Sequence, residues 1–135
     1  MSKLLQRMSD ATRSGVYRAS RAEDIVEAAR GSPLDVVRVP AENDPIAALA
    51  KALDFPKWFG GNWDALEDSL SDLSWRPAKG RVLILEGIAP GDDAGILVDV
   101  LRAAAEHWAA QRVPFFAVLL DPQRKLHLPD LYRET

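Results

Sequence analysis

The chain has 135 residues and a formal net charge of -3, with 17 Lys and Arg against 20 Asp and Glu. It therefore lacks the positive field that nucleic-acid binding draws from Lys and Arg. Hydrophobic residues at 47% and charged residues at 27% are the balance of one globular domain with a sizeable core. The absence of cysteine excludes disulfides, thiol catalysis and cysteine-ligated metal, and is compatible with a reducing compartment. The longest apolar run, Val113 to Leu120, is interrupted by Pro114 and falls well short of the roughly 20 residues that span a bilayer. The start, with Lys3 and Arg7 around Leu4 and Leu5, lacks the apolar region of a signal peptide. The expectation is a cytoplasmic protein that binds neither membrane nor nucleic acid.

In chain order, residues 1–14 are polar and aperiodic, which predicts a frayed or weakly helical tail. Gly15-Val16-Tyr17-Arg18-Ala19 is a candidate short strand. Ser20 with Glu23 has the capping-box pattern, and Ala22, Ile25, Val26 and Ala29 give one apolar face before Gly31 and Pro33 end the helix. Leu34 to Val39 is a β-branched strand stopped by Pro40. Asp44-Pro45 is a helix start with proline at its first position, and Ile46, Leu49 and Leu53 supply the buried side.

The stretch from Phe55 to Leu73 organises the chain. It reads as an aromatic turn running into a helix, with Gly60 and Gly61 freeing the backbone and Asn62 capping the N-terminus. Trp63, Leu66, Leu70 and Leu73 form a core-facing stripe. Asp64, Glu67, Asp68, Ser71 and Asp72 fall opposite. Asp64 suits the positive end of the helix dipole, whereas Asp64–Asp68 and Asp68–Asp72 are like-charge pairs one turn apart, each mildly destabilising. Asp54 to Asp72 hold five acids against the single base Lys57, while residues 1–34 hold six basic and four acidic groups.

Beyond it, Trp75 to Gly80 is a loop and Arg81 to Glu86 an apolar strand of the kind buried on both faces. Asp92 or Asp93 caps a helix with Leu97, Val100, Leu101, Ala104 and Trp108 in its apolar stripe, ending near Ala110 or Gln111. Pro114 to Leu120 is the last strand, with proline at its start. Leu126, Leu128, Leu131 and Tyr132 fold back over the domain. Strands alternating with helices predict an α/β protein with a small parallel sheet of three strands, 16–19 being a candidate fourth.

Chemistry-bearing motifs are few. His107 and His127 lie far apart without zinc-ligand spacing, no G-x-S-x-G elbow precedes a serine, and there is no Walker loop. Gly60-Gly61-Asn62 at a helix start can cradle a phosphate, but Asp64 and Asp68 would repel one. Paired carboxylates can hydrolyse, yet acids on an open helix face stay solvated. No enzyme activity, cofactor or metal is expected. Acids beside an exposed aromatic have the make-up of an interface hot spot. The plainer alternative is a solvated helix side with Trp58 and Phe59 packed in the core.

Phe55-Pro56-x-Trp58-Phe59-Gly60-x-Asn62-x-Asp64-Ala65-Leu66-x-Asp68-x-Leu70 resembles the signature of the barstar family, intracellular inhibitors of barnase-type guanyl-specific ribonucleases. The resemblance implies a parallel sheet carrying a helix that plugs a ribonuclease active site. Trp58 matches an interface aromatic, Gly60 and Asn62 match backbone and cap positions of the binding loop, Asp64 and Asp68 match the principal carboxylates, and Ser71 matches a rim hydroxyl. Gly61 stands where the family prototype has an acid, Glu67 where it has a tryptophan, Ser69 where it has a cysteine, and Ala103 where it has a further interface acid. The implied partner-binding set is Trp58, Gly60, Gly61, Asn62, Asp64, Glu67, Asp68 and Ser71. The implied partner is a cationic extracellular barnase-like ribonuclease, and the protein is expected to be monomeric when free. Residues 1–34 then form an N-terminal extension and 35–135 the inhibitor domain. The alternatives are a barstar-like interaction module or immunity protein with a non-ribonuclease partner, and a small hydrolase using the same carboxylates.

Overall fold

The computed structural model describes residues 2–134. Helix α1 (Lys3–Met8) and a 3-10 turn (Ala11–Arg13) lead into β1 (Gly15–Ala19) and α2 (Glu23–Ala29). There follow β2 (Asp35–Pro40), α3 (Pro45–Ala52), α4 (Trp63–Leu70), β3 (Arg81–Glu86), α5 (Asp92–Ala110) and β4 (Phe115–Leu120). The strands form one four-stranded sheet in the order β1-β4-β3-β2, and every pairing is parallel. The expected parallel α/β sheet is thus present, and the candidate strand at 16–19 is its fourth member.

Position in the sheet explains composition. The central strands β3 and β4 are covered on both faces, so each is apolar at nearly every position. The edge strand β2 alternates over its second half, placing Arg38 and Pro40 in solvent while burying Val37 and Val39. A proline is tolerated there because an edge strand needs fewer ladder donors. One face of the sheet carries α3, α4 and α5, whose Leu49, Leu66, Leu70, Leu97 and Leu101 pack on Leu83, Leu85, Ala117 and Leu119. The opposite face carries α1 and α2, with Met8, Ile25 and Leu131 against Val82, Ile84, Phe116 and Val118.

Several local expectations are corrected. Of the two readings of the N-terminal tail, the helical one holds and the frayed one does not, because Ser2 accepts a hydrogen bond from the Leu5 amide and α1 buries Met8 completely. One anchoring side chain in six residues is too few for a visible period. The Ser20–Glu23 capping box does not form. Arg18 donates to the Ser20 hydroxyl at 2.9 Å, leaving Ala22 as a cap without a side-chain bond. Nor does Asp92 or Asp93 cap α5: Gly91 does, at φ +151°, and both acids lie inside the first turn, where the dipole favours them. Lastly, α4 ends at Leu70 rather than continuing to Leu73. Ser71 is its C-cap, and Leu73, in the turn beyond, lies in the left-handed region at φ +48°, a conformation costing a non-glycine residue about 1–2 kcal/mol, offset by burial of its side chain.

The C-terminal segment returns over β1, as expected from its apolar residues. The Arg18 amide donates to Pro129 O at 2.8 Å and the Leu131 amide to Arg18 O at 2.9 Å, which closes that sheet edge. The Arg18 guanidinium is buried and satisfied by Asp130, the Asp121 carbonyl and Ser20. Tyr132 donates to Asp24 at 2.5 Å, tying the segment to α2.

Candidate acidic docking face

The face is built by the turn between α3 and α4. Asp44 caps α3 by accepting from the Ala47 amide, and the helix stops where Asp54 enters the left-handed region at φ +54°. Phe55 then turns inward, edge-on to Phe59 at 4.9 Å and to Trp75 at 5.6 Å. These contacts fix the loop from beneath, each edge-to-face pair contributing about 0.5–1.5 kcal/mol beyond burial. The two candidate aromatics separate. Phe59 is half-buried against the core, while Trp58 is 72% exposed, meeting only the edge of Trp75 at 6.4 Å among the aromatic rings. Of the paired glycines, Gly61 alone has positive φ, +73°. Gly60 does not need glycine's freedom, and a Cβ there would meet the Ala65 methyl at an ordinary 3.5 Å.

Asn62 caps α4 as expected, accepting from the Ala65 amide at 2.7 Å. On the buried side Leu66 and Leu70 are wholly enclosed and Ser69 nearly so, with Trp63 packed against the same core. Burying each leucine stabilises the fold by about 1.5–3 kcal/mol. That registry turns Asp64, Glu67 and Asp68 outward, all exposed. Gly60, Gly61 and Asn62 are exposed beside them, and Ser71 is the half-buried cap that ends the helix. Asp72 is exposed in the turn beyond, so only the Asp64–Asp68 pair is separated by a full helical turn inside α4. Asp68 sits in the last turn, where the dipole disfavours an acid.

Among the described residues no Lys, Arg or His forms a salt bridge with Asp64, Glu67, Asp68 or Asp72. Several acids elsewhere are paired, Asp35 and Asp54 with Arg76, Glu86 with Arg38, Asp130 with Arg18 and Arg124, whereas Glu42, Asp92, Asp93 and Glu106 also form no salt bridge among the described residues. Asp54, which belongs to the acidic stretch in sequence, is therefore ion-paired, unlike the acids of α4. On α5, Ala103 is half-buried and Glu106 exposed.

Three supporting residues escape sequence reasoning. Trp75 donates from Nε1 to Leu53 O at 3.0 Å, and Trp108 from Nε1 to Leu70 O at 2.7 Å, pinning the ends of α3 and α4. Arg76 bridges Asp35 and Asp54 at 2.8 and 2.9 Å, and its hydrogen bond to Asp35 holds the guanidinium above its ordinary range. No periodicity announces bonds between residues 22 to 41 positions apart. The only available signal is that a tryptophan N–H buried in a helix stripe needs an acceptor.

A depression of about 350 Å³, lined among others by Glu42, Ile88, Pro90 and Asp93, lies beyond the C-terminal ends of β2 and β3. The acidic side of α4 takes no part in it. A helix face outside a cleft suits a macromolecular partner better than a small ligand, which binds in concave sites. Fold and face together define a parallel-sheet α/β domain that displays an unneutralised acidic helix edged by an exposed tryptophan. A family model described as Barstar (barnase inhibitor) matches residues 32–120, more than half of the chain, and the protein belongs to that family. It is a family of inhibitors, not of enzymes. The matched span runs from just before β2 to the end of β4, so α1, β1, α2 and the C-terminal segment lie outside it. No match was found among curated proteins or among solved structures.

Proposed function

We propose that the protein is an intracellular inhibitor of a cationic, barnase-type ribonuclease, docking the acidic side of α4 and the preceding loop into the enzyme's active site. One observation carries the reading: four neighbouring acids, Asp64, Glu67, Asp68 and Asp72, have no internal cation among the described residues, while Trp58 stands exposed beside them. A fold gains nothing from concentrating like charge on one short helix. A partner with clustered Arg, Lys and His gains a great deal.

In this reading Asp68 and Asp64 take the places of substrate phosphates, accepting charge-assisted hydrogen bonds from the enzyme's cations. Trp58 supplies a large rigid apolar contact at the margin. Gly60, Gly61 and Asn62 give the loop its close backbone approach, and Ser71 lies at the rim. Glu67 extends the acidic surface and selects for a strongly basic counterpart. The field of the acids speeds encounter. The inhibitor acts as a monomer in the cytoplasm, protecting the cell from a nuclease made for export, as an antitoxin or immunity protein does.

The test is a ribonuclease assay. Added to a cationic guanyl-specific ribonuclease, the purified protein should abolish RNA cleavage at a one-to-one ratio, and should cleave no RNA by itself. Undiminished cleavage by the ribonuclease of the same cell would overturn the proposal and leave a non-ribonuclease partner for the same face.

A further inference from the structure

We infer that Trp108, seated by Arg81, is a positioning residue for the docking face: it sets where α4 holds its carboxylates without itself belonging to that face. The inference rests on the proposed docking role of α4 and deepens it.

The helix has eight residues, too short to be stable by itself, and its last carbonyls have no intrahelical partners. Trp108 supplies one of those partners. Its indole Nε1 comes from the far end of α5 and donates to the carbonyl of Leu70, the final helical residue, at 2.7 Å. The ring is held in turn from below. Arg81 opens β3 almost fully buried, with its guanidinium carbon 4.8 Å from the centre of the Trp108 ring, a distance at which cation and indole attract. Its Nη2 donates to Arg76 O at 2.6 Å, whereas Nε and Nη1 have no hydrogen-bond partner among the described residues. Burial pushes this guanidinium below its ordinary range. A buried cation so poorly satisfied is a poor choice for stability alone. It makes sense as the fixed base on which the indole stands.

The same cluster reaches the other end of the segment. Arg76, whose carbonyl Arg81 holds, donates to Asp54 at 2.9 Å and to Ala52 O at 3.4 Å, and Trp75 donates to Leu53 O. Residues 53 and 70, the entry and exit of the docking segment, are thus referred to one rigid group at the start of β3. The offset between Trp58 and Asp68 follows from that anchorage. A surface held in its bound geometry loses less entropy on association. The benefit should appear in the dissociation rate, since the encounter rate depends on charge.

Trp108→Phe keeps an aromatic ring beside Arg81 but removes the N–H together with part of the ring's volume. Two measurements on the full chain decide the matter: amide hydrogen exchange of the free protein, and the kinetics of binding to a cationic guanyl-specific ribonuclease. Loss of one net hydrogen bond corresponds to about tenfold in an equilibrium constant. Exchange of the amides from Glu67 to Leu73 should therefore quicken about tenfold while those of β3 and β4 hold, and the ribonuclease should leave about tenfold faster with its association rate and salt dependence unchanged. Arg81→Lys, which retains the charge but not the planar stacking, should move both readouts the same way to a smaller extent. Unaltered exchange at α4 in both variants overturns the inference, as does faster exchange with an unaltered dissociation rate. If the wild-type protein binds no such ribonuclease, the docking role fails instead. Unaltered exchange would still refute the anchorage independently.

Discussion

Replacing Asp68 by alanine should move stability and binding in opposite directions. The carboxylate is exposed and makes no hydrogen bond or salt bridge among the described residues, so its removal breaks nothing inside the fold. Three local effects favour the change. An acid in the last turn opposes the helix dipole by about 0.3–1 kcal/mol, the Asp64–Asp68 repulsion contributes about 0.2–0.5 kcal/mol, and alanine exceeds aspartate in helix propensity by up to about 0.7 kcal/mol. Asp72 adds little, since α4 stops before it. Their sum is about 1 kcal/mol of added stability, which for a domain of this size raises Tm by about 3 °C. Binding should suffer. An acid inserted among an enzyme's cations leaves them unpaired when removed, a loss of at least about 2 kcal/mol, or about 30-fold in Kd. Thermal unfolding and titration against the ribonuclease, performed on the same purified variant, give both numbers. A variant that melts lower than wild type would show that Asp68 has a structural role, and one that inhibits with undiminished affinity would show that the acidic side of α4 is merely solvated.

Asn62→Ala removes the α4 cap, so it should destabilise the protein by about 1 kcal/mol in chemical denaturation, and an unchanged midpoint would mean that the loop, not the cap, sets the start of the helix. Association with the ribonuclease should slow steeply between low and high salt, because exposed charges are screened beyond roughly 8 Å at physiological ionic strength; stopped-flow rates independent of salt would rule out an acidic docking face. The C-terminal segment should detach at both pH extremes. Asp130 and Asp24 are held below the usual carboxylate range, chiefly by Arg18 and by the Tyr132 hydroxyl respectively, so they stabilise the folded form above the ordinary value of about 4 and cease to do so as pH falls through their lowered values. Tyr132 is pushed up by burial and then by its bond to Asp24, so its contribution is complete below the ordinary tyrosine value of about 10 and is lost as pH rises through the raised one. Hydrogen exchange or ring chemical shifts of residues 129–134 should report release at either extreme, and a segment equally protected throughout would refute the linkage.

Much of this architecture is legible locally. Val82 to Leu85 and Phe115 to Leu119 read as doubly buried strands because burial on two faces leaves no room for alternation. Asp44-Pro45 and Asn62 announce helix starts because a cap acts on amides only three residues away. The outward placement of Asp64, Glu67 and Asp68 follows from their phase against Leu66 and Leu70, and helical phase is a property of sequence spacing alone. Other features depended on distant residues. Asp54 lies in the acidic stretch yet is paired with Arg76, the Ser20 hydroxyl is taken by Arg18 instead of capping a helix, and α4 stops at Leu70 although Leu73 continues the apolar spacing. That Phe59 packs inward against Phe55 while Trp58 stays exposed beside Trp75 likewise depends on where Phe55 and Trp75 lie in the folded chain. Charge pairing, competition for a hydroxyl and the filling of a core are settled by whichever groups the folded chain brings within a few ångströms, and only the tertiary structure determines which groups those are.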